Sequence, residues 1–337
     1  MRHAMAALCL LLLPLQASAD AMLRATVDDY IVPGYAALVQ SAVAMEEACA
    51  ANCAPDDAAL RAAYDASFDA WILISNLRFG PTEVDNRGFA LAFWPDSRGA
   101  TQKTVARLLR AEDPVVEDAE AFAKISVAAR GYYALERLLY VDDLPGTPAY
   151  REAMTGAVIR DIRATAALIL ADWRGEYGDT FATAGAPGNA LYLSAEEGMR
   201  QLFTSLTTGL EATSELRLGR PLGTFERPRP TRAEARRSGR SLRHVALSLE
   251  GNRALARVLL GDSAPADLVA EIEAPFERAL ADAAALKDPV FAGVAEPAGR
   301  IKVEALQLRV NEVRRVVALR LGPHLGIAAG FNSLDGD

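Results

Sequence analysis

Residues 131–140 read Gly-Tyr-Tyr-Ala-Leu-Glu-Arg-Leu-Leu-Tyr and lie within a predicted helix. Positions three apart lie on the same face of an α-helix, so Tyr133 and Glu136 are predicted to share one face. A phenol and a carboxylate placed in this way could contact one ligand together. The same residues allow a structural interpretation, in which Gly131 permits close helix contact, the two tyrosines pack, and Glu136 pairs with an arginine.

The helical character extends through the whole chain. Alanine and leucine dominate, β-branched residues are scattered, and apolar positions recur three and four apart, so we predict an all-α protein. Ser194 and Thr231 are predicted N-caps, because each is followed by a glutamate three residues later. The predicted helices cover residues 26–51, 56–76, 99–109, 117–140, 148–177, 194–216, 231–260, 264–285 and 299–321.

Two irregular segments interrupt this series. Residues 79–99 are rich in glycine, proline and aromatic side chains, and are longer than a simple connection requires. Residues 179–189 carry two glycines and a proline, and are the best domain boundary. We therefore predict two packed helical bundles, an N-terminal one over residues 20–188 and a C-terminal one over residues 189–337.

The N-terminus has the pattern of a cleaved export signal. A short polar start precedes an apolar run from Ala4 to Leu15, and Ala17-Ser18-Ala19 is an A-x-A cleavage site, so residues 1–19 are predicted to be removed. No later apolar run is long enough to cross a bilayer. The formal charge of −8, which becomes −9 without Arg2, argues against a nucleic-acid partner. We expect an exported, periplasmic protein.

Cleavage would leave two cysteines, Cys49 and Cys53, four positions apart at a helix end. In an oxidising compartment nearby cysteines usually pair, and this spacing can bring the Cα atoms into range. A disulfide is therefore expected. The alternative is a metal pair, for which no third ligand lies nearby in the sequence.

Residues 131–136 resemble the Gly-x-His-x-x-Glu signature of the imelysin family, the bacterial envelope proteins grouped with the M75 peptidases and associated with iron uptake. Tyr133 stands at the histidine position. Residues 77–81, Leu-Arg-Phe-Gly-Pro, and residues 93–96, Phe-Trp-Pro-Asp, resemble the family's loop motifs, and residues 325–337 resemble its closing segment. The resemblance implies two four-helix-bundle-like domains with a pocket at their junction, and a link to iron.

The tyrosine changes which metals the site would suit. A phenol with a pKa near 10 stays protonated at neutral pH and rarely binds a divalent ion, whereas ferric iron does accept tyrosine ligands. Iron therefore remains a candidate cofactor, zinc is disfavoured, and Glu136 is the predicted metal ligand. Trp94 and Asp96 are added as ligand-binding candidates, although Asp96 is also placed to cap the following helix.

A run of arginines follows the predicted domain boundary. Arg232, Arg236, Arg240 and Arg243 would share one face of the predicted helix 231–260. They are either a solvated face paired with carboxylates, or guanidiniums that bind an anion at the bundle junction. Under the second interpretation Arg236, Arg240 and Ser241 are ligand-binding candidates.

Enzyme signatures are weak. The mature chain has two histidines, His244 and His324, and neither belongs to a zinc-protease pattern. Asp335 and Asp337 in the tail could coordinate a hard cation. The leading hypothesis is a noncatalytic protein that binds an iron species or another small ligand and serves iron uptake. The alternatives are an M75-type metallopeptidase and an interaction module for an outer-membrane or periplasmic uptake partner.

Overall fold

Helices and turns make up residues 21–327, which are the part of the chain that this computed structural model describes; no strand occurs among them. The predicted all-α class is confirmed. The predicted signal peptide and the acidic tail residues Asp335 and Asp337 lie outside the described residues. Within residues 21–327, none of the helices combines the length and apolar character that crossing a bilayer requires.

The N-terminal half is organised around three long helices. α1 (Val32–Ala51) packs against both α2 (Ala58–Ile74) and α5 (Pro148–Arg174), and α4 (Gly131–Tyr140) packs against α5. A π-helical turn at Thr26–Ile31 leads into α1, and short helical turns connect α2 with α3 and α3 with α4. The longer helices are α1 Val32–Ala51, α2 Ala58–Ile74, α3 Ala100–Ala111, α4 Gly131–Tyr140 and α5 Pro148–Arg174; the shorter ones are Gly80–Thr82, Val84–Asn86, Arg87–Leu91, Pro114–Glu117, Ala119–Phe122, Val127–Ala129 and Glu176–Ala182.

The C-terminal half repeats this kind of packing. α8 (Ala266–Ala285) lies against α7 (Ser241–Leu260) and α9 (Pro297–Val316), and α6 (Ala195–Glu211) contacts α7 and α9. The longer helices are α6 Ala195–Glu211, α7 Ser241–Leu260, α8 Ala266–Ala285 and α9 Pro297–Val316. α6 continues through a π-helical segment, Ala212–Leu218, into Gly219–Leu222, and α9 continues through Val317–Leu321 into Gly322–His324; Pro230–Arg232 and Ala292–Ala295 are 3-10 turns.

The two halves meet where α2 packs against α7. Gly251 allows the close approach, because a Cβ at this position would lie 2.0 Å from the carbonyl oxygen of Leu73. The Tyr30 hydroxyl lies 3.0 Å from Asn76 Oδ1 and 3.1 Å from the carbonyl oxygen of Gly251. Buried apolar residues from both halves form one cluster. The predicted division at residues 188–189 falls in the turns between Ala182 and Ala195.

Two predicted helices are wrong over part of their length. In the first, residues 117–130 form only short helical turns, and α4 begins at Gly131. In the second, residues 231–240 form a 3-10 turn and further turns, and α7 begins at Ser241. Gly131, Ala235 and Gly239 all have positive φ, which breaks a right-handed helix. Thr231 therefore does not cap a helix. Residues 179–182 also differ from prediction, since they end the helix Glu176–Ala182.

Local capping at Ser194 follows the sequence pattern. Ser194 Oγ accepts a hydrogen bond from the Glu197 N–H, and the Glu197 carboxylate accepts one from the Leu193 N–H. At the end of α1, Cys49 and Cys53 form a disulfide with Cα atoms 4.1 Å apart.

Candidate ligand-binding site

The position of α4 is set by its first residue. Gly131 has a φ of +69°, and a Cβ there would lie 2.2 Å from the carbonyl oxygen of Leu91 and 2.3 Å from that of Ala90. Only glycine tolerates both this backbone conformation and this contact. α4 is consequently held against the short helix Arg87–Leu91, and Tyr133 and Glu136 are both buried.

Tyr133 binds a carboxylate that the sequence did not predict as a site residue. Its hydroxyl donates a short hydrogen bond to Glu234 Oε1. Its ring stacks on Trp94 at 6.5 Å and meets the Phe68 ring edge-to-face at 5.3 Å. Burial and the neighbouring carboxylate raise the pKa of Tyr133 well above its usual value. Tyr133 is therefore a protonated donor rather than a phenolate ligand.

Glu234 is the centre of a buried polar network. Its Oε2 accepts a hydrogen bond of 2.7 Å from Arg217 Nε and lies 3.4 Å from His244 Nδ1. Burial opposes ionisation of Glu234, but the Arg217 guanidinium, His244 and the Tyr133 hydroxyl together outweigh it and lower the pKa of the carboxyl to about 2. Burial lowers the pKa of His244, which favours a neutral imidazole at neutral pH.

Glu136 binds a different part of the same segment. Its Oε1 accepts hydrogen bonds from the Ser238 N–H at 3.0 Å and the Ser238 hydroxyl at 2.9 Å, and its Oε2 lies 3.8 Å from Arg237 Nη1. Tyr133 and Glu136, one helical turn apart, thus hold Glu234 and Ser238. Together they fix the irregular segment 231–240 onto α4.

A cavity of about 310 Å³ lies between these elements. Four of the predicted ligand-binding residues line it, namely Tyr133, Glu136, Trp94 and Asp96. Asp96 also caps α3, since its two carboxylate oxygens accept 2.8 Å hydrogen bonds from the Ala100 and Thr101 N–H groups. Burial opposes ionisation of Asp96, but these amide hydrogen bonds outweigh it and lower its pKa.

The other predicted ligand-binding residues do not line this cavity. Arg240 is buried and binds Asp69 and Asp65 on α2, the latter at 2.9 Å. Ser241 donates a hydrogen bond to the carbonyl oxygen of Glu234. The predicted shared helix face of Arg232, Arg236, Arg240 and Arg243 is wrong, because the first three precede α7 in irregular backbone.

Four arginines line the cavity instead: Arg137, Arg220, Arg232 and Arg237. Arg137 could have been predicted as a site residue, because it directly follows Glu136 in the sequence. Nothing in the sequence around Arg220 indicated that it would line the cavity. The Arg220 guanidinium lies 5.7 Å from the centre of the Trp94 ring. The cavity therefore combines an aromatic wall with basic side chains from both halves of the chain.

A second cavity of about 280 Å³ shares Tyr133 and Trp94 with the first. It is lined by Arg217, Glu234 and Ser248, which belong to the network around Tyr133, and by apolar residues of α2. Ser248 Oγ lies 2.7 Å from Thr213 Oγ1 and 3.3 Å from Arg217 Nη1. The rings of Tyr133 and Trp94 thus belong to the linings of two cavities of similar size.

The residues around Tyr133 and Glu136 fit a metal ion poorly. The Tyr133 hydroxyl and the Glu136 carboxylate bind separate protein partners, so neither is free to converge on one ion. Among residues 21–327, no group of three or more His, Cys, Asp or Glu side chains could hold a metal ion. The assignment of Glu136 as a metal ligand stays a prediction.

The sequence profile of the imelysin family, described as peptidase M75, matches residues 31–317. The fold is similar to the crystal structure of an imelysin-like protein from Psychrobacter arcticum 273-4, with a TM-score of 0.79 and 20% identity over 94% of this chain and 98% of that one. It is also similar to an iron-regulated protein A precursor from Parabacteroides distasonis ATCC 8503, with a TM-score of 0.71 and 14% identity over 90% of this chain and 94% of that one. No curated protein matches the chain.

Proposed function

Because the chain belongs to the imelysin family, we propose that it is a noncatalytic, exported member that holds an iron species or another small ligand in the cavity beside Tyr133 and Glu136 and serves iron uptake. The observation that carries this proposal is the cavity itself. A volume of about 310 Å³ is at the lower end of small-molecule sites, and the cavity combines aromatic and charged side chains.

The noncatalytic part of the proposal rests on how the acidic groups are used. Glu136 accepts two hydrogen bonds from Ser238, and Glu234 is bound by Arg217 and Tyr133. A general base must be free to take a proton from substrate or water. A metallopeptidase also needs about three protein ligands for its ion, and the described residues offer no such group. These features favour binding over hydrolysis.

The iron part of the proposal has a separate basis. The similar structure from Parabacteroides distasonis is described as iron-regulated, and its description as a precursor agrees with the export signal predicted at residues 1–19. The cavity does not supply a ready set of protein ligands for a bare ion. We therefore expect iron to enter as a small complex whose own ligands hold the metal.

Equilibrium dialysis against radioactive iron tests this proposal. The mature protein is dialysed separately against ferric citrate, ferric nitrilotriacetate and ferrioxamine B, alongside the variants Glu136→Gln and Glu226→Gln. We expect wild type to retain at least one complex. Glu136→Gln should retain less, because the neutral amide accepts the two Ser238 hydrogen bonds more weakly than the carboxylate and the cavity wall loosens. Glu226 is exposed and does not line the cavity, so its variant should match wild type.

If wild type retains none of the three complexes, the iron role is wrong. Equal retention by wild type and Glu136→Gln would place binding outside the cavity. Chelator-sensitive cleavage of a peptide library by the purified protein would contradict the noncatalytic assignment.

A further inference from the structure

We propose that the cavity binds a small polycarboxylate anion, held by Arg137 and Arg237 at one end and by Arg220 and Arg232 at the other. This inference rests on the proposed function, since it names the chemical class of the ligand in the same cavity. The anion can be free or can chelate ferric iron, and the two forms share the chemistry that the arginines recognise.

Arg137 gives the strongest support for this proposal. It is 8% exposed, lines the cavity, and its Nε has no hydrogen-bond partner. Among the described residues no carboxylate forms an ion pair with its guanidinium, and Glu136 and Asp96, which favour its charge, lie farther away. A buried and unpaired charge is costly, so such a group is normally paired or hydrogen-bonded. A ligand anion in the cavity would satisfy it.

Arg220, at the second end of the cavity, resembles Arg137 in its burial and its missing hydrogen-bond partner. Arg220 is partly buried, and its Nε also lacks a hydrogen-bond partner. Burial and the nearby Arg232 both lower the pKa of Arg220, and burial and the nearby Arg237 lower that of Arg137. Within each pair the positive charges repel each other. Two such pairs favour a ligand with two separated anionic groups over a single small ion.

The two carboxylates that line the cavity only partly neutralise these arginines, because Glu136 lies 3.8 Å from Arg237 and both carboxylates are already hydrogen-bonded within the protein. Asp96 accepts two backbone N–H groups at the start of α3, and Glu136 accepts two hydrogen bonds from Ser238. Four arginines against two carboxylates leave a net charge of +2 in the lining, within a chain whose formal charge is −8. This local reversal of charge would attract an anion.

The planar shape of the guanidinium groups suits carboxylates. A guanidinium is planar and binds a carboxylate through two parallel N–H···O bonds. The hydroxyl-bearing residues Ser97, Thr101 and Thr231 also line the cavity and could bind hydroxyl groups of the ligand. A molecule the size of citrate suits a volume of about 310 Å³.

Titration calorimetry with iron-free citrate tests the inference. The mature wild-type protein is compared with Arg137→Gln, Arg220→Gln and the control Arg227→Gln, which removes an exposed arginine outside the cavity. We expect Arg137→Gln and Arg220→Gln each to weaken citrate binding at least about tenfold, because each removes a charge-assisted contact. Arg227→Gln should bind like wild type. Inorganic phosphate and the neutral trimethyl ester of citrate should bind wild type at least about tenfold more weakly than citrate does.

Thermal unfolding without ligand separates binding from folding. Arg137→Gln should unfold no earlier than wild type, because it removes an unpaired buried charge. The inference is overturned if citrate binds no more tightly than its ester, or if both cavity variants bind citrate like wild type. If ferrioxamine B is retained but citrate is not bound, the ligand-binding role stands and the anion assignment fails. If citrate binds through the arginines but no ferric complex is retained, the anion assignment stands and the iron role fails.

Discussion

Tyr133 takes a structural position rather than that of a metal ligand. Its buried hydroxyl keeps its proton and donates a hydrogen bond to the ionised Glu234, which Arg217 holds from the other side. A histidine at position 133 would offer a ring nitrogen instead of a hydroxyl, and would have to share the carboxylate with Arg217 and His244. The tyrosine therefore commits this side chain to linking α4 with the segment 231–240.

The pH dependence of stability follows from Glu234. Its pKa is about 2 in the folded protein against an ordinary value of 4.5. A lowered folded pKa gives stability that is fully present above about pH 4.5 and is lost as the pH falls towards 2. The shift corresponds to about 3 kcal/mol, at 1.36 kcal/mol per pKa unit.

We expect urea unfolding to show this effect as a difference between wild type and Glu234→Gln. Wild type should be more stable at pH 7, and the gap should narrow as the pH falls from about 4.5 to 2. The variant Glu226→Gln, which changes an exposed carboxylate, supplies the baseline for acid effects elsewhere. A gap that stays constant over this range would show that Glu234 has no lowered pKa.

The segment 231–240 is the element that brings the site together. It contributes Glu234, Arg237 and Ser238, yet it contains only a short 3-10 turn of its own. Its conformation is set by partners on other elements: α4 binds Glu234 and Ser238, and α2 binds Arg240 through Asp65 and Asp69. Removing one of these anchors should loosen one wall of the cavity.

Arg240 and Arg243 form a matched pair for testing this anchor, since both bind Asp69. The Arg240 side chain is 7% exposed and the Arg243 side chain is 57% exposed. We expect Arg240→Ala to lower the free energy of unfolding by about 3 kcal/mol, because it leaves partly buried carboxylates without their main partner. Arg243→Ala should cost about 1 kcal/mol or less.

Limited trypsin digestion gives a second measurement for the same pair. Arg240→Ala should speed cleavage at the other arginines of the segment, and Arg243→Ala should not. Equal unfolding free energies and equal cleavage rates for the two variants would show that Arg240 does not anchor the segment.

At the scale of the molecule, the cavity draws its lining from both halves of the chain. Trp94 and Glu136 come from the N-terminal half, and Arg220 and Arg237 from the C-terminal half. The halves also share the α2–α7 contact and one cluster of buried apolar residues. The division into two bundles stays a prediction, and their independence as folding units can be measured.

We expect the two halves to unfold together. The three tryptophans, Trp71, Trp94 and Trp173, all lie in the N-terminal half, so fluorescence reports on that half while far-UV circular dichroism reports on all helices. The urea transitions from the two probes should coincide, because the shared core couples the halves. A fluorescence transition that is separated from the dichroism transition would show that the halves unfold independently.

The sequence by itself determined the helical class and the family, and it singled out Tyr133, Glu136, Trp94 and Asp96, which line one cavity. Helix periodicity and short motifs are local properties, and local properties can be read along a chain. The same local rules failed at residues 117–130 and 231–240. There the backbone follows contacts with distant elements rather than its own helix propensity.

Only the tertiary structure decided what the site residues bind. The hydrogen bond from Tyr133 to Glu234 joins residues 101 positions apart, and the one from Ser238 to Glu136 joins residues 102 positions apart. No sequence spacing encodes such pairs, because they depend on how α4, α6 and α7 pack. The same packing places Arg137 and Arg220 in the lining of one cavity and leaves both without an ion-paired carboxylate among the described residues.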